Sequence, residues 1–168
     1  MAILPIRLFP DPVLRKPAAP VTSFDKKLAH WIRDLEAAMK GQHSGIGIAA
    51  PQVGLPVQLA LVDVSARVPG AQQLILINPK ILKMKTEKIS REGCMSLPEY
   101  TGNLIRYDWI RVCWQDEKGR DREGTFTGIE AVCIQHEVDH LHGKLFLDRI
   151  SFLNRDLIPR HFTSRKSF

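Results

Sequence analysis

The chain has 168 residues, 44% of them hydrophobic, and 24 lysines and arginines against 18 aspartates and glutamates give it a net charge of +6. That is the size of one domain with enough apolar content for a real core, and no apolar run is long enough to span a bilayer. Three widely spread cysteines argue against a disulfide framework and for a reducing compartment.

Met1–Pro5 has no charged leader followed by an apolar run, so a cytoplasmic location is expected; an organelle form with a trimmed transit peptide is left open. Residues 1–22, with five prolines, read as an extended arm. Phe24–Lys40 is predicted to be a helix with Leu28, Trp31, Ile32, Leu35, Ala38 and Met39 as its core stripe, ended by Gly41. Residues 42–54 hold a glycine motif, Gly45-Ile46-Gly47. It lacks the third glycine of a dinucleotide fingerprint, since Ala50 stands there. Small residues here would instead let an extended substrate run alongside Gly45–Ile48 as an added strand.

Strands are predicted over Pro56–Val64, Leu74–Ile77 (ending at Asn78-Pro79), Ile81–Ser90, Asn103–Trp114 and Arg122–Phe126, with a turn at Asp116–Gly119. Strands clustered between two helices give α+β: antiparallel sheets packed around a central helix, with an N-terminal helix in addition. Basic residues are spread over Lys80–Arg91, Arg106–Arg122 and Arg149–Lys166 with no dense block. They read as a solvated surface, not a specific nucleic-acid site. Pro159 interrupts Ser151–Phe168, so no long C-terminal helix is expected.

The central helix is Thr127–Gly143, TGIEAVCIQHEVDHLHG. Thr127 and Glu130 have capping-box spacing, and Gly143 supplies a left-handed stop. Ile129, Val132, Cys133, His136 and His140 share one face. His136-Glu137-Val138-Asp139-His140 is H-E-x-x-H, in which one helical turn points two imidazoles at a single metal and Glu137 reaches a water beside it. Asp139 faces away and is expected to pair with a basic group such as Arg106. His142, about 200° round the helix from His140, is not expected to ligate.

A catalytic metal needs a third protein ligand and an open position. Phe146 occupies the place of the third histidine in H-E-x-x-H-x-x-G-x-x-H and cannot ligate. Asp148, Asp156 and His161 have no motif around them. Cys113 sits in a half-buried alternation with Ile110, Val112 and Trp114, and Cys133 reads as helix packing. Cys94, between Gly93 and Pro98 in a loop or strand end, ranks first, and local context leaves the choice open.

Three segments together resemble peptide deformylase: Gly45-Ile46-Gly47-Ile48-Ala49-Ala50-Pro51-Gln52, Glu92-Gly93-Cys94-Met95-Ser96, and His136-Glu137-Val138-Asp139-His140. Pro10–Leu14 also resembles that family's N-terminal region, and the likeness ends near Leu147. The resemblance implies one catalytic domain over residues 1–168, with 149–168 unassigned. It implies that Cys94, His136 and His140 hold one divalent metal. Fe2+ is expected, with Zn2+, Ni2+ or Co2+ also compatible with the donors.

The implied reaction removes the formyl group from the N-terminal formylmethionine of new proteins and releases formate. Water held by the metal attacks the formyl carbon, and Glu137 takes its proton and passes it to the leaving amine. Gln52 and the Met95 backbone N–H share the developing oxyanion with the metal. Substrate contacts fall to Gly45, Ile46, Gly47 and Gly93 along the peptide, and to Ile129, Val132 and Cys133 (with Ile46) around the methionine side chain. Nascent N-formylmethionyl peptides are the expected partners, with a transient ribosome contact and no membrane. Two alternatives use the same helix: a zinc peptidase cutting internal bonds, and a structural metal domain on an RNA surface, which needs a fourth ligand such as Cys133.

Overall fold

A computed structural model describes residues 4–42 and 45–160. Helix α1 spans Lys26–Lys40 and starts two residues later than expected, because the Asp25 carboxylate accepts the N–H groups of Lys27 and Leu28 at 2.9 and 3.1 Å. Its end at Gly41 is right-handed, with φ −68 and the N–H still bonded to Ala37, so no left-handed cap forms there. The strands are β1 (Gly47–Ala49), β2 (Leu59–Val62), β3 (Leu74–Cys94), β4 (Leu97–Gln115) and β5 (Asp121–Thr127). Helix α2 (Gly128–Leu141), the short α3 (Leu153–Asp156) and β6 (Leu157–Pro159) follow.

All strands join one antiparallel sheet in the order β1-β2-β3-β4-β5, so the separate sheets expected from sequence are a single sheet. Both β5 and β6 pair with the edge of β4 that β3 leaves free, β5 beside Trp109–Gln115 and β6 beside Tyr100–Gly102. Asn78-Pro79 does not end a strand. Asn78 takes a left-handed φ of 52 and the register slips between Ile77 and Lys80, so a bulge absorbs the break and β3 runs on for 21 residues. The Asn78 side chain also ties down the arm, exchanging hydrogen bonds with the Val21 backbone at 2.8 Å in both directions.

Strands β1 and β2 read as continuous apolar runs because both faces are covered. Ile48, Leu59, Leu61 and Ile77 pack toward Leu28, Leu35 and Met39 of α1. Their neighbours Ala49, Ala60, Val62 and Leu76 pack toward Ala131, Ile134, Val138 and Leu141 of α2. The helix carrying the H-E-x-x-H motif is therefore buried on every side from Ala131 to Leu141, with no solvated face. Its expected capping box is not made: Thr127 is still paired with Trp109 as the last residue of β5, and it forms no side-chain cap bond. Entry runs through Gly128 at φ +59, which breaks the regular first turn a box requires.

At the other end Gly143 has φ +71, the left-handed stop the sequence predicts. A Cβ there would lie 2.5 Å from the Arg15 carbonyl oxygen, so the glycine also lets the N-terminal arm close against the helix. Beyond it, Leu145 and Phe146 are buried, and the chain returns through α3 to β6. Between Gly143 and Arg160 no long helix forms, while His161 and the rest of the tail lie outside the described residues. Among the described residues, no helix is long and apolar enough to cross a membrane.

Candidate active site

The long β3–β4 hairpin carries the chain back to α2, and its tight turn at Cys94–Leu97 brings a thiol to the helix end. Cys94, His136 and His140 are all buried, and one ligand atom from each lies within 4.8 Å of the others. Cys94 Sγ is 3.2 Å from His140 Nε2. Tetrahedral coordination with bonds of about 2.0–2.3 Å separates ligand atoms by about 3.3–3.8 Å, so the three side chains are spaced to share one small cation. One thiol with two imidazoles suits a borderline-soft divalent metal. Among the described residues no fourth His, Cys, Asp or Glu joins the group, and Cys133 instead donates to the Ile46 carbonyl at 3.4 Å. Among the described residues the set thus has three ligands, the number a catalytic site uses, and lacks the fourth that closes a structural one.

Burial opposes charge on Cys94, but the adjacent His140, with hydrogen bonds from both imidazoles, holds its thiol well below its ordinary pKa. Burial likewise disfavours charge on His136, yet Cys94 and Glu92 raise it well above the ordinary imidazole value. A divalent cation bound by these side chains needs the thiol deprotonated and both imidazoles neutral, so its binding displaces protons from the set.

Glu137 is 3% exposed, and burial pushes its carboxyl up to about 7, against the opposing pull of His136 and His140. Its Oε2 is buried with no hydrogen-bond partner among the described residues. That atom is available to exchange a proton inside the site. Gln52 is held at both ends. Its Oε1 accepts the Ala49 N–H at 2.9 Å, which orients the amide, and Nε2 points at Cys94 Sγ (3.5 Å) and Ser96 Oγ (3.2 Å). Gln52 is thus both the cap of its own loop and a donor aimed at the metal centre.

A cleft of about 750 Å³ opens over these groups. Gly45, Ile46, Gly47 and Gly93 line it, with Ile129, Val132 and Cys133 on the helix side and Gln52 and Met95 beside the ligands. Phe146 is far from any ligand role: it is 1% exposed and packs against Gly102 and Leu104 in a small core beside Cys94.

Residues 3–156 match the family model for polypeptide deformylase. The chain belongs to the polypeptide deformylase family. It is 38% identical over 166 residues to the peptide deformylase of Bartonella quintana, covering 98% of this chain and 94% of that protein. Its fold is similar to the crystal structure of the Thermotoga maritima peptide deformylase, with a TM-score of 0.83 and 39% identity over 90% of this chain and 100% of that one. The Synechococcus elongatus peptide deformylase, solved in complex with actinonin, gives a TM-score of 0.82 at 39% identity, covering 89% of this chain and 79% of that one.

This deformylase also has a charged support that sequence reasoning only half found. Asp139 pairs with Arg106 at 2.6 Å, as expected, and with Arg149 at 2.6 Å. Arg106 also grips Glu92 through Nε and Nη2 at 2.7 and 3.0 Å, and Glu92 Oε2 meets His136 Nδ1 at 2.8 Å. This chain of pairs fixes the tautomer and ring plane of His136. Burial of Glu92 favours its neutral form, but the bonds from His136 and Arg106 win and lower its pKa. Glu92 opens the Glu92–Ser96 motif, and its acidity two residues before a cysteine was the one local signal. Its partners come from β4 and α2, which no local pattern reveals.

Proposed function

We infer that this enzyme hydrolyses the formyl group from the N-terminal formylmethionine of new proteins, releasing formate and a free amino terminus. The observation that carries this reading is the buried Cys94–His136–His140 set beside the unpartnered Glu137 Oε2, with Cys94, His136 and Glu137 among the residues lining a cleft of about 750 Å³. Cys94, His136 and His140 would hold one divalent ion, ferrous by family resemblance, with zinc, nickel or cobalt compatible with the same donors. Such an ion supplies Lewis acidity, polarising the formyl carbonyl and making water easier to deprotonate.

The chain's own groups do the rest. Glu137 Oε2 takes a proton from the attacking water and returns it to the leaving nitrogen. Gln52 Nε2 and the Met95 backbone N–H donate to the oxygen on which charge develops. Gly45, Ile46, Gly47 and Gly93 offer backbone beside the peptide, which lies against them as an added strand. Ile129, Val132 and Cys133, with Ile46, give the methionine side chain an apolar slot. A nascent-chain substrate brings the enzyme to the ribosome in the cytoplasm, where a net charge of +6 favours transient contact with a polyanion.

The test is formate release from a formyl-Met tripeptide by protein purified anaerobically with its metal. The acetylated peptide and an internal-bond substrate are run beside it. Formate from the formyl peptide alone is expected; cleavage of the internal bond without formate would overturn the assignment. Glu137→Ala is expected to lose about 10²- to 10⁴-fold in rate while keeping its metal.

A further inference from the structure

The metal centre and the apolar slot leave the charge around the mouth of the cleft without a role. Arg67, Lys88, Arg91 and Arg160 line it. Its carboxylates, Glu92 and Glu137, are 7% and 3% exposed and belong to the metal centre, so no exposed acid stands among the lining residues. Lys88 is paired with Asp108. Among the described residues, none of the three arginines enters an ion pair, although Arg91 donates to Thr101 Oγ1 at 3.2 and 3.3 Å.

Arg160 is placed by the sheet. Thr101 of β4 lies between Gly93 of β3 and Ile158 of β6, and beyond β6 the Arg160 N–H bonds the Glu99 carbonyl at 2.7 Å. Alternation along the strands then puts Arg91, Gly93, Thr101 and Arg160 on one face. The Arg160 guanidinium occupies the space over Gly93, where a Cβ would lie 1.9 Å from its Nη2. Glu99 does not line the cleft.

We propose that Arg160, supported by Arg91 and Arg67, makes this cleft select nascent chains that carry aspartate or glutamate in the residues following methionine. The inference rests on the deformylase reading, in which the peptide passes Gly93 and its side chains meet the guanidinium above it. An exposed guanidinium–carboxylate pair is worth roughly 1.5- to 5-fold in affinity, so two or three cations acting together give about 3- to 10-fold.

The test uses the metal-loaded enzyme and C-terminally amidated peptides, so that the only carboxylate is the one under study. These are formyl-Met-Xaa-Ala-amide and formyl-Met-Ala-Xaa-amide, with Xaa glutamate, glutamine or lysine. The expected order of kcat/KM is Glu, then Gln, then Lys, with a Glu-to-Lys ratio of about 3 to 10 that falls toward 1 in roughly 0.5 M salt. Arg160→Glu is expected to bring that ratio to 1 or below, and Arg160→Gln to reduce it at least twofold. Each ratio is internal to one preparation, so a change in total activity does not move it. Formate from every peptide with ratios within twofold of 1 would overturn the charge selection alone, and ratios unchanged in both variants would remove Arg160 from it. No formate from any peptide would instead sink the deformylase reading.

Discussion

Gly47 shows how tightly single side chains are set in this molecule. A Cβ added there would lie 2.5 Å from Glu137 Oε1 and 2.6 Å from Cys133 Sγ. Cys133 is short and buried, so the carboxylate is the group that must give way. On the role proposed for Glu137, Gly47→Ala is expected to lower kcat/KM about 10²-fold by misplacing it slightly, with metal content unchanged. Steady-state formate assays with metal analysis check this, and an unaltered kcat/KM would mean that Glu137 tolerates the shift. From sequence this glycine is expected to leave room for an added substrate strand, a reading kept in the proposed function. That it makes room for the glutamate is not written in the sequence, because the two lie far apart along the chain.

Among the elements, α2 depends on how it ends. Gly143 combines a φ of +71 with backbone 2.5 Å from where a Cβ would sit, and a carbonyl of the arm cannot swing aside like a long side chain. Gly143→Ala is expected to cost about 1–3 kcal/mol, seen as a melting temperature lower by about 5 °C. An equal melting temperature would show that the arm moves freely. The β4–β5 turn is set differently, by charge. Burial works against the Asp116 carboxylate. The backbone N–H groups of Arg120 and Lys118, together with the guanidinium groups of Arg122 and Arg120, outweigh it and hold the carboxyl well below the ordinary 3.8. A depressed folded-state pKa contributes stability in full above 3.8 and loses it as pH falls from there toward the folded value. Asp116→Asn is therefore expected to melt lower than the parent at pH 7, with the gap closing as the pH is taken below 3.8; a gap that widened in acid would contradict this.

At the scale of the whole molecule, the metal centre joins parts of the chain with no other reason to meet. Cys94 arrives on the β3–β4 hairpin and the two histidines on α2, while Arg106 and Arg149 brace the same spot from β4 and from the segment after the helix. A ligand bound by the folded state alone stabilises it by about 2.7 kcal/mol at a hundred times its dissociation constant. Chelation is thus expected to lower the melting temperature by about 5–10 °C, with readdition of a divalent ion restoring it. A melt indifferent to chelator would mean that the three side chains hold no metal in solution.

The sequence by itself determined the motif helix with its two imidazoles and glutamate, the left-handed stop at Gly143, the α1 stripe and the α+β character. Each of these is written in spacings of a few residues, which local backbone geometry reads directly. Local spacing left the third ligand open among three cysteines until the family resemblance pointed to Cys94, cut β3 in two at Asn78-Pro79, and supplied a capping box that does not form. Only the tertiary structure brought the Cys94 thiol up to both imidazoles, tied Glu92 to Arg106 and His136, and swung Arg160 over Gly93. Those choices depend on which strands pair and in what register, and pairing is settled by burial summed over the whole sheet, which no short stretch of sequence contains.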